Sequence, residues 1–108
     1  MHVVIFEVWP KAGCRDAYLD IAAALKAELT QIDGFISVER FTSLTEEGKM
    51  LSLSFWRDED SVVRWREHAE HQAAQGRGRY ELFANYRLRV ASVLRDYGPK
   101  ERAEAPQP

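Results

Sequence analysis

The 108-residue sequence predicts an α+β domain of order β-α-β-β-α-β, the ferredoxin-like split βαβ, in which four antiparallel strands carry two helices on one face. Three observations lead there. The chain opens on a β-branched and aromatic run, it holds two segments with helical apolar spacing, and a turn-rich hairpin separates those segments. One domain accounts for the length.

The opening HVVIFEVW puts Val3, Ile5 and Trp9 on one face and Val4, Phe6 and Val8 on the other, so both faces of this strand are expected to be covered. In RDAYLDIAAALKAELTQIDG, Tyr18, Ile21, Ala22, Leu25 and Leu29 recur at helical spacing, and Asp33-Gly34 supplies the stop. FISVERFTS and KMLSLSFW then read as strands joined by the turn LTEEGK. In the second of these, Leu51, Leu53 and Phe55 oppose Ser52, Ser54 and Trp56; the serine face is too small and polar for bulk core and suits the lining of an interface or cavity. RDEDSVVRWREHAEH begins the second helix, with Asp58 and Asp60 available as caps and Val62, Trp65 and Ala69 on one stripe. That helix is expected to loosen near Gly76 and Gly78, with a short helical or irregular piece around YELFAN. YRLRVASVLRDY alternates Tyr86, Leu88 and Val90 against Arg87, Arg89 and Ala91, as a last strand does. The domain is expected to span residues 1–97. Residues 98–108, with three of the four prolines and nothing apolar larger than alanine, are expected to form a disordered tail.

The helices of such a fold leave the other sheet face bare. Because apolar residues occur on both sides of the strands, that face is expected to meet a second copy in a two-fold dimer. A formal net charge of -2 gives no long-range attraction to nucleic acid or anionic lipid, and Arg77 and Arg79 alone make no phosphate footprint. No segment approaches the roughly 18 apolar residues of a spanning helix, and the N-terminus lacks a basic leader, so no membrane partner and a cytoplasmic location are expected. The single cysteine, Cys14, excludes an intrachain disulfide and a cysteine-rich metal framework.

Chemistry concentrates in RWREHAEHQAAQGRGRY. His68 and His71 stand three apart and, on a continuous helix, could share a ligand or a proton; solvated or capping histidines are the alternative. The string His68-Ala69-Glu70-His71 is one residue short of H-x-x-E-H and no third ligand is evident, so no metal is predicted. Gly76-x-Gly78 lacks the third glycine and preceding strand of a dinucleotide fingerprint. Trp65 and Trp56 can be site walls or plain core.

GFISVERF, LSLSFWRDEDSVVRWREHAEHQAAQGRGR and YRLRV together closely resemble the antibiotic biosynthesis monooxygenase family of dimeric α+β barrels, through Gly34-Phe35, Ser54 to Trp56, and Trp65 with His71. The resemblance implies a homodimer whose sheets join into an eight-stranded barrel, with a pocket in each subunit between sheet and helices. It implies oxygenation of a small aromatic, phenolic or quinol substrate by O₂ without a cofactor. Such chemistry needs a base, apolar walls and donors for the substrate anion. His71 or His68 are the candidate base, Trp65 and Phe83 the walls, and Tyr86 or Arg79 the anion donor. The alternatives are a non-catalytic dimeric binding module and heme chemistry. In the heme-degrading branch, aligning the tryptophan with Trp65 puts the iron ligand at Gln75 and the first-strand asparagine near Glu7, so heme would need His71 or His68 in a shifted register.

Overall fold

A computed structural model describes residues 1–72 and 80–107, the side chains of residues 70–72 and 80 apart. Strand β1 (His2–Pro10) leads into helix α1 (Arg15–Leu29), strands β2 (Phe35–Thr42) and β3 (Met50–Trp56), helix α2 (Glu59–Gln72), a 3₁₀ turn (Tyr80–Leu82) and strand β4 (Phe83–Ser92). The sheet order is β2-β3-β1-β4 with every neighbouring pair antiparallel, as the split βαβ requires.

Why these segments take these forms is visible locally. In β1 the alternation holds, with Val4, Phe6 and Val8 buried toward the helices and Val3 and Ile5 partly buried on the other face. Helix α1 buries Tyr18, Ala22 and Leu29 and ends at Leu29, several residues before Asp33-Gly34. Gly34 has φ +94° and serves the entry to β2; a Cβ there would fall 1.8 Å from Ser61 Oγ. Its carbonyl accepts the Arg57 N–H at 2.7 Å, which ties the start of β2 to the end of β3.

Asp58 caps α2, accepting hydrogen bonds from the backbone N–H and the hydroxyl of Ser61. These hydrogen bonds, side chain first, and the adjacent Arg57 hold its carboxyl well below the usual carboxylate range. Arg57 also forks onto Asp33 with two bonds of 3.0 Å, so the α1–β2 connection and the α2 cap share one exposed charged knot.

The core falls into two clusters. One holds Phe6, Val8, Tyr18, Met50 and Phe83; the other holds Val4, Leu29, Trp56 and Val62, with Phe35, Val38 and Trp65 packed against it. The outer face of the sheet, bearing Val3, Ile5, Leu51, Leu53 and Phe55, carries neither helix. After β4 the described residues form no further helix or strand, and Arg102 stacks 5.1 Å from the Tyr97 ring and donates to the Gly98 carbonyl.

Candidate functional site

Strand register builds the site. Across the helix-facing side of the sheet, Arg40 pairs with Ser52, Ser52 with Phe6 and Phe6 with Leu88. The next row is Val38, Ser54, Val4 and Val90. In the middle of both rows stands a serine where a core strand would carry valine or leucine. Helices α1 and α2 cross above with Leu25, Leu29, Val62, Trp65, Arg66 and Ala69, and the missing side-chain volume leaves a cavity of about 270 Å³ between the two core clusters. Tyr86, Leu88 and Val90 of edge strand β4 line it while remaining 49%, 51% and 46% exposed, so the mouth opens along β4.

Most of this lining is aliphatic or aromatic, and its polar groups are few and specific. Trp56 is fully buried and donates its indole N–H to Ser54 Oγ at 2.9 Å. Having accepted that bond, the Ser54 hydroxyl keeps its own proton to donate. Trp65 stacks on Trp56 at 6.4 Å and 21°, extending an indole wall from sheet to helix. Arg40 is half-buried, and its Nε is buried with no hydrogen-bond partner. Among the described residues neither Arg40 nor Arg66 forms an ion pair, and no carboxylate or imidazole belongs to the lining.

Of the residues expected from sequence, Trp65 and Tyr86 line this cavity, and the serine face of β3 is its floor. Phe83 does not line it; it is buried in the first core cluster, 5.3 Å from the Tyr18 ring and 6.1 Å from the Tyr86 ring. His68 lies outside the lining as well, its Nε2 3.7 Å from Glu28 Oε2 and its ring 6.0 Å from Trp65. His71 is in the last turn of α2, with its side chain outside the described residues, and Arg79 and Gln75 also fall outside them. Glu7 faces away from the cavity, ion-paired with Lys49 at 3.7 Å and Arg89 at 3.4 Å. Sequence reasoning missed Arg40 and Arg66. The signal for Arg40 was present: alternation puts it on the same face as Val38, a lone cation on an apolar side.

Comparison with known proteins follows the same lines. The family model described as antibiotic biosynthesis monooxygenase matches residues 1–77. A jasmonate monooxygenase ABM of Pyricularia oryzae is 52% identical over 93 residues, which cover 86% of this chain and 43% of the relative. An uncharacterized Bacillus subtilis protein, YqjZ, is 39% identical over 62 residues, 57% of this chain and 53% of that one. The chain thus spans about half the length of the curated relatives it matches. Among solved structures, Rv0793 of Mycobacterium tuberculosis matches with a TM-score of 0.75 at 17% identity, over 90% of this chain and 98% of that one. The heme-degrader MhuD of the same organism matches with a TM-score of 0.72 at 16% identity, over 91% and 100%. At these identities the two structures speak for the fold.

Proposed function

Because the chain belongs to the antibiotic biosynthesis monooxygenase family, we propose that it is a monooxygenase that oxidises a small, mostly apolar phenolic or quinol-type compound with O₂ and without a cofactor. The observation that carries this reading is the cavity itself: indole and aliphatic walls, a handful of donors, and a size at the small end of ligand sites. The name of the Pyricularia oryzae relative, with a jasmonate as its substrate, supports a molecule of this size class.

The reaction asks little of the protein. An activated CH₂ beside a phenol loses a proton, and the resulting anion passes an electron to O₂. Recombination gives a peroxide anion, which takes up a proton and then loses water to leave a carbonyl; one oxygen atom goes to product and one to water. The chain must exclude bulk water, hold the anion, and accept the first proton. Trp56 and Trp65 would wall the ring, and Ser54 and Tyr86, both in the lining, are the proposed hydroxyl donors. The proton acceptor is assigned to an α2 histidine. His71 and His68 are the candidates; His68 lies outside the cavity lining with its Nε2 3.7 Å from Glu28 Oε2, which favours His71.

Heme is the competing reading. Its iron takes imidazole, thiolate, thioether or phenolate, and among the described lining residues only Tyr86 is of such a type. The β1 position that would carry the heme-degrading asparagine, Glu7, sits on the opposite sheet face. Oxygen uptake by metal-stripped protein with a panel of anthrones and hydroquinones tests the proposal, with His71→Gln expected to slow turnover by about 10²-fold or more. Uptake only after hemin is added would replace this reading with the heme one.

A further inference from the structure

The polar lining is lopsided. Two arginines and two serines belong to the lining, no carboxylate accompanies them among the described lining residues, and Arg40 Nε is buried without a hydrogen bond. Arg40 is half-buried as a residue, but its Nε is a buried donor on the helix-facing side of the sheet, and a buried donor left without an acceptor is unfavourable. Glu39, its chain neighbour, points to the other face and pairs across the sheet with Leu53. Among the described residues no acceptor meets Arg40 Nε, and a ligand in the cavity would supply one.

From this we infer that the cavity selects ligands that carry an anionic group, with Arg40 as the residue that holds it. The register gives the pose. Arg40 and Ser52 are direct cross-strand neighbours at the β2 side of the floor, and the space toward Phe6 and Leu88 is apolar. A carboxylate or ionised phenol or enol sits at the β2 end, accepting from Arg40 Nε and the Ser52 hydroxyl, and the hydrocarbon body extends toward the β4 mouth. Arg66, on α2 above, adds positive potential at the same lining without displacing Arg40 from this role. Arg40 is thus a binding and specificity residue: it decides that the bound form is the anion, which is also the electron-rich form that the proposed oxygenation uses. The inference deepens that reading of the cavity as a substrate site and rests on it for the ligand's identity as a substrate, but not for its binding.

A matched pair of probes tests it. Isothermal titration of the full chain in a Hepes buffer with 4-phenylbutyrate and with its methyl ester compares the same body with and without the charge. The acid is expected to bind at least tenfold tighter. Arg40→Gln is expected to bring the acid's affinity down to the ester's, and Arg40→Lys, which keeps the charge but loses the fork, to retain part of the preference. A variant that merely folds less well would lower both affinities together and leave their ratio untouched. Equal binding of acid and ester by the native chain, a ratio unmoved by Arg40→Gln, or binding of neither probe would overturn the inference. Pentafluorophenol, ionised at pH 7.5, separates the two sources of the anion: tenfold selectivity for the acid alone assigns a carboxylate, and binding of both that is lost in Arg40→Gln assigns anions at large. Acid preference with no oxygen uptake on any substrate would end the oxygenase reading while leaving the anion site standing.

Discussion

Gly34 shows how one residue can fix a junction. Its positive φ and the 1.8 Å approach of a notional Cβ to Ser61 Oγ leave no room for a side chain. Gly34→Ala is expected to lower stability by about 2–3 kcal/mol in urea unfolding, from strain and clash together. Adding Ser61→Gly is expected to relieve the clash but to leave the strain and lose the Ser61 hydroxyl's bond to Asp58, so that stability is not restored. A few residues away, Asp58 makes stability depend on pH. Its folded-state carboxyl is held below the ordinary value of 3.8, chiefly by Ser61, so its stabilisation is complete above that value and is lost as pH falls through the folded-state value. Asp58→Asn can still cap α2 but cannot ionise, so its melting temperature is expected to fall less than the native chain's between pH 6 and pH 3. Both residues were legible as turn and cap signals, since Asp-Gly and an Asp before an apolar stripe have local causes. The contact between Gly34 and Ser61 was not, because it joins residues 27 positions apart in sequence.

At the scale of the element, β3 carries the functional information. Its period of two separates Leu51, Leu53 and Phe55 from Ser52, Ser54 and Trp56, and the second set is indeed a cavity floor. Strand β2 was harder to read. Strict alternation would put Phe35 on the face opposite Val38, yet both pack against the same cluster, because the register shifts between Phe35 and Ser37 and leaves Ile36 as an extra residue. A bulge of this kind has no sequence signature in FISVERF, and it is what brings Phe35 to the face that Val38 and Arg40 already share by alternation. Helix α2 was legible as a stripe of Val62, Trp65 and Ala69, but the neighbouring histidines drew the site toward His68, which faces α1 instead. Ser54→Ala is expected to cost about 1–3 kcal/mol by leaving the buried Trp56 indole N–H without its acceptor, read as a lower urea midpoint. Ser52→Leu, which fills space without orphaning a donor, is expected to keep the fold and lose ligand binding.

For the whole molecule, the order of elements and the sheet followed from patterning alone, because helix and strand periods differ and the split βαβ is the architecture that this order supports. Patterning also gives the expectation that the uncovered sheet face is completed by a second copy. Val3, Ile5, Leu51, Leu53 and Phe55 share that face with the ion pairs of Glu7, and among the described residues no helix lies over it. We expect a two-fold dimer through the bare face, so sedimentation at micromolar concentration is expected to give twice the chain mass, and a monomer there would contradict the dimer. The central claim is oxygenation inside the cavity by the chain's own residues. Its most direct test is mass spectrometry of the product formed under oxygen-18 gas by metal-stripped protein, native and Ser52→Leu side by side. One labelled oxygen atom in the native product and none formed by the filled variant is the expected result; equal product from both, or product only with added hemin, would contradict it.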